Sequence, residues 1–168
     1  MKHFTFLLIN IFILCEYIMA DENSQVLVIN SNISLFEIGS DISYIDLNFH
    51  HPITMINAST ILPFFVINSD GTYFTIAFNR NNIVKAIFAR APFGLVSRKE
   101  FRTPENVFIG MSYSELLELF PNVILTKIHG WAYEYLLPSG WRIGFITGGS
   151  GTDYFPAYEE KISMIYKN

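Results

Sequence analysis

The chain carries a single cysteine, Cys15, in 168 residues. A lone cysteine closes no intramolecular disulfide and builds no cysteine-based zinc site. Charge is also scarce: Asp, Glu, Lys and Arg make up 15% of residues, with 11 basic against 15 acidic and a net charge of −4. A nucleic-acid binder needs a basic stripe, and this composition has none to offer. No apolar run reaches the roughly 18 to 20 residues that span a bilayer. Apolar and aromatic residues, in contrast, are plentiful at 51% and 16%. That excludes a disordered segment, and the length excludes two large domains.

Part of the apolarity belongs to the first twenty residues. A short basic start, Met1-Lys2-His3, precedes the run from Phe4 to Leu14, and Tyr17-Ile18-Met19-Ala20 meets the polar Asp21-Glu22-Asn23-Ser24. A charged start, a short apolar stretch and a small residue before a polar segment describe a secretory signal peptide over 1–20, cut after Ala20. A membrane anchor is the alternative, and lipidation at Cys15 a further one, although Ile13-Leu14 are larger than the residues that normally precede a lipidated cysteine. The twenty residues hold one Lys, one Glu and the only Cys, so the remainder keeps 10 basic and 14 acidic residues and the same net charge. About 148 residues bury a sufficient core without disulfides. The expected product is periplasmic or secreted, with no stable membrane insertion after cleavage.

The remainder carries a weak internal repeat. Phe36 to Ile42 resembles Val107 to Tyr113, Asn68 to Thr72 resembles Leu137 to Trp141, and Val84 to Phe88 resembles Ile162 to Tyr166, in the same order. Such spacing points to a duplicated unit of about 70 to 80 residues. In the second copy, Ser112-Tyr113-Ser114-Glu115 has the form of a capping box. Tyr113, Leu116, Leu117 and Phe120 then form one apolar helix face that Pro121 ends. Period-two runs follow at Val123–Ile128, Ala132–Leu136, Trp141–Ile146 and Lys161–Tyr166. The first copy offers a weaker helix near Ser40 to Asn48, then strands at Leu62–Ile67, Tyr73–Phe78 and Ile83–Phe88, with Leu27-Val28-Ile29 as an early strand. The expectation is therefore an α+β fold of two tandem helix-plus-antiparallel-meander repeats, 21–95 and 96–168, forming one continuous sheet surface.

The copies differ most before their last strand. The first turns through Asn79 to Asn82; the second uses thirteen residues, Gly148 to Glu160. Its three aromatics and its acids exceed what a hairpin needs. Aromatic side chains flanked by charge are common interface anchors, so Asp153, Tyr154, Phe155, Tyr158 and Glu159 are candidate partner-binding residues, with Trp141 and Tyr133 on the neighbouring strands. The alternative is a loop folded back on its own domain, with Phe155 and Tyr158 plugging a core edge.

Catalytic signals are poor. Gly148-Gly149-Ser150-Gly151-Thr152 has Thr152 where a nucleophile elbow has Gly, and it lacks the Lys of a phosphate-binding loop. Adjacent His50 and His51 on an extended segment point opposite ways and do not share a metal. His129 stands alone beside Gly130-Trp131. Asp21-Glu22 falls at the expected new N-terminus and Glu159-Glu160 within the loop, and neither has the buried setting that acid–base work needs. The expectation is a nonenzyme without cofactor or metal.

The layout of a secreted chain built from two such copies, with the motif Ile109-Gly110-Met111-Ser112-Tyr113-Ser114-Glu115-Leu116 and a fainter Ile38-Gly39-Ser40-Asp41-Ile42, resembles the β-lactamase inhibitory protein family and the related fold of small outer-membrane assembly lipoproteins. The resemblance implies a sheet face and loops that clamp an enzyme. Each copy in that inhibitor family carries a disulfide, which this chain cannot form. By biology the chain also resembles periplasmic immunity proteins, which block toxins delivered by type VI secretion. The implied partner is a secreted toxin or envelope hydrolase, and the implied function is exported, noncatalytic inhibition. A structural module of envelope assembly and a hydrolase with an unrecognised site are the alternatives.

Overall fold

The computed structural model describes residues 15–21, 24–47, 52–90 and 95–168. Among these lie ten strands: β1 (Cys15–Asp21), β2 (Ser24–Asn30), β3 (Ile53–Met55), β4 (Ile61–Ser69), β5 (Thr72–Phe78), β6 (Val84–Phe88), β7 (Thr126–Ile128), β8 (Ala132–Leu136), β9 (Arg142–Phe145) and β10 (Met164–Lys167). There is one α-helix, α1 (Tyr113–Leu119), and a 3-10 turn at Ile33–Leu35. All ten strands belong to one sheet in the order β1-β2-β4-β5-β6-β10-β9-β8-β7, with β3 paired to β4 off this path. The pairings are antiparallel except β2 with β4, which run parallel.

This corrects the α+β expectation. The protein is mostly β, a single mixed sheet with one helix, and the helix-plus-meander unit does not occur twice. The helix expected near Ser40 to Asn48 is absent over 40–47, and Asn48 lies outside the described residues. In its place the chain makes one turn, in which the Ser43 amide donates to Asp41 Oδ1 (2.8 Å) and the Ile45 amide to the Ile42 carbonyl (3.0 Å). The reason is local. Ile42 and Ile45 are β-branched, Ser43 and Asp46 compete for backbone groups, and Tyr44 stands where a capping box requires Glu or Gln. The later segment has Ser112, Glu115 and three leucines where the earlier one has these residues. There the capping box forms in both directions and α1 continues to Leu119.

Although only one side becomes a helix, both make the same backbone connections. The Gly39 amide donates to the Val84 carbonyl, the Val84 amide to Ser40, and the Ile42 amide to Asn82. Gly110 to Ile162, Ile162 to Met111 and Tyr113 to Glu160 repeat these, offset by 71 residues on one side and 78 on the other. Both glycines take a left-handed φ, +89° and +96°. The halves meet where β6 pairs with β10, placing Phe88 opposite Tyr166 with their rings stacked at 5.3 Å. The sheet crosses this seam without interruption.

Period-two alternation divides the apolar residues between two faces. Leu27, Ile29, Phe65, Ile67, Phe74, Ile76, Phe78, Ile143, Phe145 and Ile165 face the larger core, closed over by Phe36, Ile42, Ile45, Val107, Met111, Tyr113 and Leu116. Val26, Val28, Phe64, Val66, Ala77, Ala86, Phe88, Ala132, Met164 and Tyr166 face the other, beneath Ile56, Leu95 and Trp131. Buried Glu134 accepts the Tyr166 hydroxyl hydrogen on this second face, and Arg142 Nη1 stands 3.8 Å from its other oxygen. Burial, then the adjacent carboxylate, pushes the Tyr166 hydroxyl pKa well above its ordinary value.

The hairpins follow their turn chemistry. Asp70-Gly71 closes β4 to β5 with φ of +53° and +89°, and Ser69 pairs directly with Thr72. That is the Asp-Gly turn whose twist matches the flanking strands. At the other hairpin, Glu105 accepts from both the amide (2.6 Å) and the hydroxyl (2.8 Å) of Ser139. This ties the segment between the halves to the β8–β9 turn.

Candidate functional site

The segment from Gly148 to Glu160 is built in two stages. Its first part is a tight return held by Thr147 and Thr152. The Thr147 amide donates to the Gly151 carbonyl (3.0 Å), the Asp153 amide to Thr147 (3.0 Å), and Thr147 Oγ1 to the Tyr154 carbonyl (2.6 Å). The Gly130 amide donates to Thr152 Oγ1 (3.3 Å), fastening the return to the β7–β8 turn. Gly151 is required here: its φ is +83°, and a Cβ would lie 2.5 Å from the Trp131 carbonyl oxygen.

The second part docks on the N-terminus of α1. A helix begins with amides that have no partner inside it. The Tyr113 amide donates to the Glu160 carbonyl (2.9 Å), the Ser114 amide to Tyr158 (2.9 Å), and the Glu115 amide to Ser112 Oγ (3.2 Å). Glu115 returns a carboxylate to the Ser112 amide (2.7 Å), and the Ser112 amide and hydroxyl together hold its carboxyl below the usual range. The loop backbone thus completes the helix cap.

Docking arranges the aromatic rings. Phe155 lodges between Tyr113 (5.8 Å between centroids) and Tyr133 (5.3 Å), edge to face with both. Tyr158 stacks on Tyr113 at 6.3 Å, while Tyr113 meets Phe145 beneath it at 5.6 Å. The Lys127 ammonium lies 5.6 Å from the Tyr133 ring centre. Despite these contacts Tyr154, Phe155 and Tyr158 remain 53%, 55% and 68% exposed. Each ring therefore presents much of its surface to solvent from a backbone held in place, and exposed Ile146 lies just before the loop.

Of the residues singled out from sequence, the structure brings Tyr133, Phe155 and Tyr158 together around Tyr113. Asp153, Tyr154 and Glu159 are exposed on the same loop. Tyr133 is buried beneath Phe155 and supports the cluster rather than presenting a face. Trp141 does not join it. Buried before β9, at the end of the strand away from Phe145, its ring packs 4.8 Å from Phe101 with the Lys167 ammonium 4.9 Å above it. Tyr113 is the residue that sequence reasoning missed as part of this site. Its place on the apolar helix face marked it as core, and it serves both roles. The capping box could have raised it, because a helix that starts there needs carbonyls from elsewhere.

The Ser150 hydroxyl donates to Asp153. That bond, then the Ser150 amide, holds the Asp153 carboxyl below the usual carboxylate range. Exposed Ser150 therefore donates to the Asp153 carboxylate within the turn. His129 is exposed, and His50 and His51 lie outside the described residues. Among the described residues no three His, Cys, Asp or Glu are grouped to hold a metal ion, and no helix is long and apolar enough to cross a membrane.

Comparison with protein-family models, with curated proteins and with solved structures found no match to this chain.

Proposed function

We propose that the protein is an exported, noncatalytic inhibitor, most specifically an immunity protein that binds and blocks a toxin or hydrolase acting in the cell envelope, and that it grips this partner with the loop from Gly148 to Glu160. The observation that carries the reading is the combination at Tyr154, Phe155 and Tyr158: rings more than half exposed, on a backbone fastened to α1 and to the β7–β8 turn. Exposed aromatic area on an ordered backbone binds with little entropy left to lose, the property of an interface anchor. Asp153 and Glu159 flank the rings, and with a net charge of −4 they suit a basic partner, whose approach such a field accelerates. The location consistent with this role is the periplasm or the exterior.

The test changes the rings and spares the mount. Replacing Tyr154, Phe155 and Tyr158 by Ser removes exposed surface while leaving the Thr147, Thr152 and Ser112 connections. Each such anchor is worth about 2 kcal/mol or more, so the triple variant should lose binding by more than 100-fold with its circular-dichroism spectrum retained. The readouts are protection of cells that express a candidate envelope toxin and co-purification of that toxin. A folded triple variant that still protects overturns the loop assignment. Ser150→Ala should leave the protein's behaviour unchanged; clear loss of an enzymatic activity on that change would overturn the noncatalytic reading.

A further inference from the structure

The two ends of the sheet are finished differently. At one end β7 is three residues long and carries Lys127, the short, charged edge that resists pairing with another chain. At the other end β1 covers β2 over nearly its whole length, from Cys15 opposite Ile29 to Asp21 opposite Ser24. The strand beneath it, Ser24-Gln25-Val26-Leu27-Val28-Ile29-Asn30, has no charge and no proline. Its apolar residues serve both cores: Leu27 and Ile29 the larger, Val26 and Val28 the smaller, all at most 4% exposed. The cut expected after Ala20 falls inside β1.

We infer that leader removal uncovers β2, and that the mature protein closes this edge by pairing with the β2 of a second copy, giving a two-fold dimer with one sheet running through both subunits. The inference rests on the export reading above, and specifically on cleavage after Ala20. Three features select a second copy as the occupant. The edge already accepts an antiparallel strand in the observed pairing with β1. The β2 sequence is close to self-complementary: with Leu27 opposite its own copy, Val26 stands opposite Val28 on both sides. A two-fold axis normal to the sheet also keeps each core on its own face, so apolar side chains continue across the join. The backbone groups of β2 that face away from β4, set between two apolar faces, would otherwise meet water. In the precursor, β1 occupies the same edge, so pairing waits for export.

The experiment expresses the full chain for export and purifies the processed protein. Its intact mass gives the N-terminus, sedimentation equilibrium gives the oligomeric state, and hydrogen exchange follows the amides of Val26 and Val28, which face the edge and not β4. The expected result is a chain beginning at Asp21 with twice the monomer mass, β2 amides protected, and dissociation to monomer when a peptide of residues 15–21 carrying Cys15→Ser is added. A chain beginning at Asp21 that stays monomeric at high micromolar concentration overturns the inference, as does a dimer with unprotected β2 amides. A monomer that acquires a strand only from its partner protein overturns the choice of a second copy. Retention of 15–20 in the processed chain overturns the cleavage premise instead, with β1 still covering the edge. The ring variants of the loop should remain dimeric, which separates this outcome from failure of the inhibitor reading.

Discussion

The Asn79–Asn82 turn and the Gly148–Glu160 loop occupy matching places and meet the same neighbour, the segment that follows a left-handed glycine. In the first half the Asn82 carbonyl takes the Ile42 amide, and the next donor in need, Ser43, is satisfied by its own neighbour Asp41. In the second half Glu160 takes Tyr113, and the matching donor, Ser114, goes to the Tyr158 carbonyl. One change of partner separates the two. A turn that caps itself needs nothing further from the chain, whereas a helix whose second amide stays open can anchor an excursion. The longer loop is thus coupled to the helix: the same residues that allow α1 to propagate leave the donor on which Tyr158 is seated.

The strongest way to break this comparison is through Leu116 and its counterpart Ile45, both buried in the larger core. Leu116→Ala and Ile45→Ala should each cost about 2–5 kcal/mol in urea unfolding. Only the first should also release the loop, seen as faster hydrogen exchange at Ser114. Equal loop exchange in both variants would show that the loop does not depend on the helix. Next in size is Gly151→Ala, which forces a left-handed φ and a contact with the Trp131 carbonyl; about 1–3 kcal/mol should be lost. Gly149→Ala, with open space around its Cβ, should stay within about 0.5 kcal/mol of the parent. Ser112→Ala removes the cap and should cost about 0.5–2 kcal/mol, with Asp41→Ala costing less because only a single turn depends on it.

The smallest effect is set by pH. Asp153 and Glu115 are held below the ordinary carboxylate range by Ser150 and Ser112. The folded loop therefore binds fewer protons than the unfolded chain. Its stabilisation is complete above the ordinary carboxylate pKa of about 4 and fades as pH falls through the lower folded values. Exchange at the Ser114 and Asp153 amides should rise below pH about 4 more than intrinsic exchange accounts for, and Asp41, held low by Ser43, should loosen its own turn over the same range.

Most strands were legible from alternation, because a sheet with a core on each face still fixes which residues share a side. The α1 start was legible in Ser112 and Glu115, and the β4–β5 turn in Asp70-Gly71. The first-half helix was misread because apolar spacing at Ile42 and Ile45 fits a single turn as well as a helix, and propensity at Ser43, Tyr44 and Asp46 decides between them. β3 is three residues long, too short to show alternation, and the parallel pairing of β2 with β4 depends on contacts distant in sequence, which local patterns do not carry. At the candidate site the exposed aromatics were legible as an excess in a loop. Trp141 reads as part of the site because it neighbours a strand that reaches it, but Phe145 lies four residues further along, about 13 Å of rise.

Gly151 pressed against the Trp131 carbonyl has a consequence for how such a protein can change. The positions that set the loop's path, Gly151, Thr147 and Thr152, face inward and tolerate little; Tyr154, Phe155 and Tyr158 meet solvent and are free to vary at modest cost to stability. On the proposed inhibitor reading, substitution there exchanges the partner without rebuilding the support that presents the new side chains. On the same reading, chains of this fold that meet different partners keep a glycine at this position and diverge at the three rings.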